Sequence, residues 1–258
     1  MTILEKIFAT KHDEVALARQ VISVEELRAR AAAFEPRGFR AALMGASKPA
    51  LIAEVKKGSP SMGEIRAEFD PVAIAQSYER AGATCLSVLT DVQYFQGSPT
   101  YLREVRAAVS LPLLRKDFVF DTYQLDEARA WGADCVLLIV AGLEQGRLTD
   151  LYHEAKHRLL DVLVEVHDEA ETEFAVALGA DMIGINNRDL RTFKTDLSTT
   201  SRLIQLIPPG VLRVSESALE SADDVRAVHE MGADAVLIGT AFCASPDIEG
   251  KVREVMGR

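Results

Sequence analysis

Residues 178–181 read Leu-Gly-Ala-Asp, and close variants of this tetrapeptide recur three times along the chain. The copies are AGAT at 81–84, WGAD at 131–134 and MGAD at 231–234, spaced about 50 residues apart. In each copy the glycine supplies the left-handed turn that ends a helix, and the small alanine allows tight packing of helix on sheet. Because about 50 residues correspond to two strand–helix units, the copies mark the second, fourth, sixth and eighth strands.

Apolar segments alternate with amphipathic helical patterns from Leu51 onward. The predicted strands lie near 51–56, 84–89, 111–115, 134–139, 161–166, 181–185, 211–215 and 234–238. Their nearly continuous Val, Ile and Leu content is typical of parallel strands that are buried on both faces. Eight such units predict an α/β protein with the (β/α)8 TIM barrel fold. A doubly wound open sheet is the alternative, but no G-x-G-x-x-G motif follows the first strand.

Capping signals predict where several helices begin. Asp70-Pro71 combines an N-cap with proline at the first helical position, and Ser245-Pro246 repeats that pattern. Asp121 and Asp168 are two further predicted helix starts.

The first 48 residues are predicted to be helical and to lack strands. Ser23 and Glu26 fit the S-x-x-E capping box, Pro36 is expected to end that helix, and a short helix follows at 39–43. We interpret 1–48 as an N-terminal extension of a single barrel domain that spans 1–258. The extension could cover the bottom of the barrel or shape an aromatic pocket at its mouth, and the sequence leaves both open.

Composition restricts the class of protein. A chain of 258 residues, 48% hydrophobic and 26% charged, can bury one large core, and its net charge of −10 argues against nucleic acid or a membrane as partner. Residues 1–9 lack the apolar core of a signal peptide, and no apolar run reaches the roughly 18 residues of a membrane span. Cys85, Cys135 and Cys243 are predicted to be buried thiols of a cytoplasmic protein. We expect a monomer, with an oligomer left open.

The segment Leu51–Gly63, LIAEVKKGSPSMG, places charged side chains at the end of the first strand. Because side chains alternate along a strand, Glu54 and Lys56 point to the same side and Lys57 to the other. The Gly, Ser and Pro residues that follow, Ser59 among them, cannot continue a strand and predict a mobile loop. An acid and a base under a flexible loop are typical of an active site, although a surface ion pair explains the same pattern.

Polar residues follow the other strands as well, at the end where barrel enzymes carry out their chemistry. Lys116 and Glu165 end the third and fifth strands, so they would converge with Glu54 and Lys56 on one mouth. Two acids and two ammonium groups at short range perturb one another's pKa values, as proton transfer at neutral pH requires. Ser217, Ala218, Gly239 and Thr240 follow the seventh and eighth strands, where barrels commonly bind phosphate.

Seven segments in this order resemble indole-3-glycerol phosphate synthases. They are AEVKKGSPS at 53–61, SVLTD at 87–91, LRKDF at 114–118, LVEVH at 163–167, INNRDL at 185–190, SES at 215–217 and LIG at 237–239. The resemblance covers almost the whole chain, and the N-terminal helical extension also fits the family. It implies a lyase of tryptophan biosynthesis that converts 1-(2-carboxyphenylamino)-1-deoxyribulose 5-phosphate to indole-3-glycerol phosphate, CO2 and water. No metal or organic cofactor is expected.

The resemblance also suggests residue roles. Lys116 is expected to be the general acid that protonates the ketone oxygen, and Glu165 the base of the dehydration, with Lys56 the competing choice for acid in that step. Glu54 and Asn186 are expected to orient the substrate hydroxyls and the lysines. The remaining residues expected to contact the phosphosugar-anthranilate substrate are Ser59, Phe95, Phe118, Leu137, Arg188, Glu216, Ser217, Ala218, Gly239 and Thr240.

One position departs from the family, which usually has glycine where this chain has Ala218. If the backbone there needs φ > 0, alanine costs about 1 kcal/mol.

Three alternative functions remain open at this level. His153, Glu154 and His157 fit the H-E-x-x-H signature of zinc peptidases, but they lie on a predicted outer helix with no third ligand nearby. Another phosphosugar barrel, such as phosphoribosylanthranilate isomerase, would share the phosphate site but not the combination of Lys56, Lys116 and Glu165. The third alternative is a barrel that binds phosphosugars without turnover.

Overall fold

The computed structural model describes residues 2–190 and 192–258, and its centre is a closed barrel of eight parallel strands. The strands are β1 (Ala50–Val55), β2 (Cys85–Leu89), β3 (Leu113–Lys116), β4 (Cys135–Ile139), β5 (Asp161–Val166), β6 (Met182–Asn186), β7 (Leu212–Glu216) and β8 (Ala235–Ile238). Pairing of β1 with β8, from Ala50↔Ala235 to Ala53↔Ile238, closes the barrel. The predicted TIM barrel is confirmed.

Helices precede and surround this barrel. They are α1 (Ile3–Val21), α2 (Val24–Ala31), α3 (Phe39–Gly45), α4 (Pro71–Arg80), α5 (Pro99–Ala108), α6 (Thr122–Ala130), α7 (Gln145–His157), α8 (Glu169–Ala177), α9 (Ser198–Leu203), α10 (Ala222–Glu230), α11 (Thr240–Cys243) and α12 (Ile248–Met256). Within residues 2–190 and 192–258, no helix is both long and apolar enough to cross a membrane.

The four Gly-Ala repeats end α4, α6, α8 and α10, as predicted. Gly82, Gly132, Gly179 and Gly232 have φ values of +84°, +86°, +78° and +112°, a region that glycine enters without steric cost. The alanine after each glycine is buried in the core between helices and strands.

One predicted helix start differs from the structure. Asp70, Asp121 and Asp168 cap helices as expected, but α12 begins at Ile248 rather than after Ser245-Pro246, because Asp247 is the residue that caps it. Two neighbouring residues can each cap a helix, and the sequence pattern alone does not choose between them.

The end of α2 in the N-terminal extension also differs from the prediction. Ser23 caps α2 by accepting a hydrogen bond from the Glu26 N–H at 3.2 Å, as predicted. However, α2 ends at Ala31, so Pro36 follows the helix at a distance and does not end it.

The N-terminal extension covers the barrel at both ends. Phe39 and Leu43 of α3 are buried among the inward side chains at the bottom of the barrel. At the mouth, the ring of Phe8 on α1 packs edge-on against Phe118, with 5.9 Å between centroids. Both roles that the sequence left open are therefore present, one on α3 and one on α1.

The segment after β1 is more regular than predicted. β1 ends at Val55, so the strand does not continue into this segment, as predicted, but Gly58–Ser59 and Gly63–Glu64 form a short antiparallel ribbon that the sequence analysis did not predict. The ribbon closes because Gly63, with φ of +67°, allows the chain to reverse within three residues.

Candidate active site

Strand alternation brings the predicted charged residues to one place. Inward positions fill the barrel with apolar side chains up to the last layer, where the inward residues become Glu54, Lys116, Glu165, Asn186 and Glu216. Because every second residue of a strand faces the same way, the inward positions of each strand supply core residues along the barrel and a site residue at its carboxyl end.

Every site residue predicted from the sequence lines one cavity at the carboxyl ends of the strands. These residues are Glu54, Lys56, Ser59, Phe95, Lys116, Phe118, Leu137, Glu165, Asn186, Arg188, Glu216, Ser217, Ala218, Gly239 and Thr240. The cavity is therefore built from the ends of all eight strands and from the ribbon that follows β1.

Lys116 is the centre of the charged cluster. Its Nζ lies 2.7 Å from Glu216 Oε2 and 3.1 Å from Glu165 Oε2. Burial alone would lower the pKa of Lys116, but the charges of Glu216, Glu165 and Glu54 outweigh burial and raise that pKa above its usual range. Lys116 is therefore held in its ammonium form.

The two carboxylates beside Lys116 differ in acidity because their other partners differ. Burial would raise the pKa of Glu165, but Lys116, His167 and Asn186 together lower it below its usual range. Glu216 Oε2 accepts from Lys116, but within residues 2–190 and 192–258 its Oε1 is buried without a hydrogen-bond partner. Burial, together with the charge of Glu165, outweighs Lys116 and raises the pKa of Glu216 to about 7. Two acids with separated pKa values are what distinct acid and base roles require.

Gly184 on β6 makes room for Glu216. A Cβ at position 184 would lie 2.1 Å from Glu216 Oε1, which is far inside van der Waals contact. Any side chain at this position would displace the carboxylate that contacts Lys116.

Glu54 and Lys56 form a second charged pair in the mouth. Their Oε1 and Nζ atoms are 3.3 Å apart, and Ser87 Oγ donates a hydrogen bond to Glu54 Oε2 at 3.4 Å. Lys57 instead faces away and lies 3.9 Å from Glu64 of the ribbon. The predicted alternation of side chains along this segment is confirmed.

The ends of β7 and β8 form the opposite side of the cavity. Ser217 and Ala218 have φ values of +66° and +61°, so both occupy the left-handed region. Asn187 Nδ2 holds this turn by donating hydrogen bonds to the carbonyl oxygens of Glu216 at 3.0 Å and Ser217 at 3.4 Å. Because the backbone at Ala218 has φ > 0, the cost of about 1 kcal/mol expected for alanine at this position applies.

Aromatic rings form the apolar part of the cavity. Phe95 and Phe118 pack with 5.9 Å between ring centroids, and Leu137 lies on the same wall. Phe8 supports Phe118 from outside the cavity, which the sequence pattern did not indicate.

Lys11 of α1 was missed by the sequence analysis. It is 3% exposed, and its Nζ lies 2.8 Å from Asp91 Oδ2 and 3.1 Å from Asp117 Oδ1, the residue after Lys116. Lys11 lies between Ile7 and Val15 on the buried face of α1. A charged residue within this apolar stripe is the sequence pattern that could have predicted a buried lysine.

Opposite charges keep this buried cluster ionised. Burial would lower the pKa of Lys11 and raise that of Asp117, yet the pKa of Lys11 is raised and that of Asp117 is lowered. Arg115, 3.0 Å from Asp117 Oδ2, contributes to the second shift.

The H-E-x-x-H match does not form a metal site. His153 and His157 are exposed on the outer helix α7, and Glu154 pairs with Arg158 on the same helix. Across the part of the chain that the structure describes, no three His, Cys, Asp or Glu side chains are grouped so as to hold a metal ion.

Comparison with known sequences identifies one family. The profile described as Indole-3-glycerol phosphate synthase matches residues 4–255. The indole-3-glycerol phosphate synthase of Bordetella pertussis strain Tohama I is 53% identical over 249 residues, which are 95% of this chain and 95% of that protein.

Comparison with solved structures supports the fold. A chain of the tryptophan synthase α2β2 complex from Pyrococcus furiosus superposes with a TM-score of 0.61 and 13% identity, covering 81% of this chain and 98% of that one. Thiamine phosphate pyrophosphorylase from the same organism gives 0.62 and 16%, covering 81% and 95%. At this level of identity the likeness concerns the barrel alone.

Proposed function

Since the chain belongs to the indole-3-glycerol phosphate synthase family, we propose that Lys116 and Glu165 are the acid and the base of that family's reaction in this barrel. The activity is that of a decarboxylating lyase of tryptophan biosynthesis, which acts on a small-molecule phosphate. Neither an isomerase of another phosphosugar nor a zinc peptidase is favoured.

Ring closure is assigned to Lys116. The ring carbon that bears the carboxylate attacks the ketone carbon, and the Lys116 ammonium gives its proton to the ketone oxygen as the new bond forms. In the buried mouth, that positive charge stabilises the developing alkoxide more than it would in water. CO2 then leaves, and its bonding electrons restore the ring.

Dehydration is assigned to Glu165 with Lys56. Glu165 is ionised and buried, so it is suited to accept the proton that is lost when the new double bond forms. Lys56 protonates the departing hydroxyl, which leaves as water. Glu54, 3.3 Å from the Lys56 ammonium, and Asn186, which donates to Glu165 Oε1 at 3.2 Å, orient these two groups.

Binding is divided between the two sides of the cavity. We assign the phosphate to the ends of β7 and β8, at Ser217, Ala218, Gly239 and Thr240, and the anthranilate ring to the apolar wall. The residues assigned to the wall are Phe95, Phe118 and Leu137, and those assigned to polar contacts with the substrate are Ser59, Arg188 and Glu216.

One observation carries the proposal: Lys116 Nζ contacts two buried carboxylates, and within residues 2–190 and 192–258 only Glu165 also accepts a hydrogen bond from another side chain, Asn186. The test is a fluorescence assay for the indole product on wild type, on Glu165→Gln and on the surface control Glu254→Gln. Loss of a general base predicts a decrease in kcat of about 10²- to 10⁴-fold for Glu165→Gln only. Full activity of that variant would contradict the assignment.

We also propose that the enzyme is a cytoplasmic monomer with one domain. Cys85, Cys135 and Cys243 are buried free thiols, which suits a reducing compartment. Lys11 and Phe39 join residues 1–48 to the barrel core through buried contacts, which supports an integral extension. A mass near 28.2 kDa by light scattering would support the monomer, and twice that mass would contradict it.

A further inference from the structure

The imidazole of His167 is held between two carboxylates just after β5. Its Nε2 lies 3.2 Å from Glu165 Oε1, and its Nδ1 lies 3.1 Å from Glu171 Oε2 in the first turn of α8. The backbone N–H of His167 donates to the same Glu171 oxygen at 2.8 Å, so Glu171 fixes both the backbone and the ring.

Two carboxylates around one ring favour the doubly protonated form. The Nδ1 contact with Glu171 is a hydrogen bond, whereas the Nε2 contact with Glu165 Oε1 is an ion pair at 3.2 Å without hydrogen-bond geometry within residues 2–190 and 192–258. A neutral imidazole carries one N–H and one lone pair, so one ring nitrogen would direct its lone pair at a carboxylate oxygen. Only the imidazolium carries a positive charge that attracts both carboxylates and presents no lone pair to either of them. Burial alone would lower the pKa of His167, but Glu165 and Glu171 outweigh burial and raise that pKa to about 10.

Glu165 has a different partner on each side. Its Oε2 contacts the Lys116 ammonium at 3.1 Å, whereas its Oε1 receives the Asn186 amide and faces His167. We propose that His167 is a positioning residue, an imidazolium braced by Glu171 that holds Glu165 ionised and keeps its Oε2 directed at the reacting groups. The inference rests on the role proposed above for Glu165.

Other charged groups surround this imidazolium without replacing its two carboxylate contacts. Those lining the cavity beside the ring are Glu5, His12, Asp168, Arg188, Asp189 and Arg202. These groups include both acidic and basic side chains, whose effects on the ring oppose one another, and Lys116 lies on the far side of Glu165. The contacts with Glu165 and Glu171 therefore decide the protonation of the ring.

The first test observes the ring without using the reaction. Nitrogen-15 NMR of histidine-labelled protein should show both His167 ring nitrogens as imidazolium up to at least pH 8.5, with the signal assigned by its loss in His167→Gln. Glu165→Gln and Glu171→Gln should each lower the titration midpoint by about one pH unit or more, because each removes one anion. A neutral His167 ring in the wild type at pH 7.5 would overturn the inference.

The second test uses kinetics. His167→Gln should lower kcat by about tenfold with little change in KM, and its deficit should grow from pH 8 to pH 6, because Glu165 then binds protons more readily. His153→Gln on the outer helix α7 is the matched control. Glu171→Gln should show the same trend, which keeps the test decisive if His167→Gln folds poorly.

The outcomes separate the two proposals. Wild-type kcat and pH dependence in both His167→Gln and Glu171→Gln would overturn the positioning role. Full activity of Glu165→Gln with the NMR linkage intact would instead discard the base assignment while leaving the imidazolium contact in place.

Discussion

Lys116 Nζ lies 2.7 Å from Glu216 Oε2, while Glu216 Oε1 is buried and has no hydrogen-bond partner within residues 2–190 and 192–258. Half of this carboxylate is therefore paired with the central ammonium, and the other half is desolvated without compensation. The pair holds Lys116 in place, whereas burial and the nearby charge of Glu165 make the ionised form of Glu216 costly.

That cost predicts a pH-dependent stability. Burial raises the pKa of Glu216 from 4.5 to about 7, so the folded state binds a proton more tightly than the unfolded state between these values. The contribution to stability is full below pH 4.5 and is lost as the pH rises through about 7. At about 1.4 kcal/mol per pKa unit, the loss is on the order of 3 kcal/mol.

Glu216→Gln cannot ionise and should lack this loss. The free energy of unfolding of Glu216→Gln relative to wild type should improve by on the order of 3 kcal/mol between pH 4.5 and pH 8, as measured by urea denaturation. Glu254→Gln on the exposed face of α12 serves as the control. A difference that is independent of pH would show that Glu216 is ionised throughout.

Gly184→Ala should damage the reaction through Glu216. The new Cβ would lie 2.1 Å from Glu216 Oε1, so the carboxylate must move away from Lys116. We expect kcat to decrease by about 10²-fold, since misplacement near 1 Å has effects of that size. Gly146→Ala on α7, where a Cβ meets nothing within 4 Å, should leave kcat unchanged. Wild-type kcat in Gly184→Ala would refute the link between the two residues.

Ala218→Gly should stabilise the protein. Ala218 has φ of +61°, where a side chain costs about 1–2 kcal/mol, and glycine removes that cost from the folded state. Glycine also raises the conformational entropy of the unfolded chain, which offsets part of the stabilisation. The net increase in the free energy of unfolding should be about 0.5–1 kcal/mol, or roughly 2 °C in Tm. Ala73→Gly in helix α4 should instead lose about 1 kcal/mol. A lower Tm for Ala218→Gly would mean that the strain is absent.

The barrel could be predicted because its signals are local. The turns at Gly82, Gly132, Gly179 and Gly232 need only a glycine after a helix, and the inward register of Glu54 and Lys56 follows from alternation along one strand. The prediction that the site residues lie in one cavity then followed from the fold, because the carboxyl ends of all barrel strands meet at one mouth.

The remainder depends on distant partners. The burial of Lys11 is set by Asp91 and Asp117, which are 80 or more residues away along the chain. The contact between His167 and Glu165 depends on how Glu171 orients the His167 ring. The i, i+4 spacing of His167 and Glu171 does not specify that orientation.

Lys11→Met should destabilise the protein strongly. The substitution leaves Asp91 and Asp117 buried without their shared ammonium group, and breaking such a contact costs about 3–5 kcal/mol. The thermal midpoint should therefore fall by roughly 10 °C. Lys6→Met, on the exposed side of the same helix, should lower the midpoint by no more than about 2 °C. Equal midpoints for the two variants would show that the buried ammonium adds nothing to stability.

The central claim is that the Lys116 ammonium is the acid of ring closure. The most direct measurement is the kcat for indole product from 1-(2-carboxyphenylamino)-1-deoxyribulose 5-phosphate, compared for wild type, Lys116→Met and the outer-helix control Lys251→Met. We predict that Lys116→Met lowers kcat by about 10³-fold or more, since both the proton and the charge are lost, while Lys251→Met behaves as wild type. A folded Lys116→Met protein with kcat within tenfold of wild type would contradict the assignment.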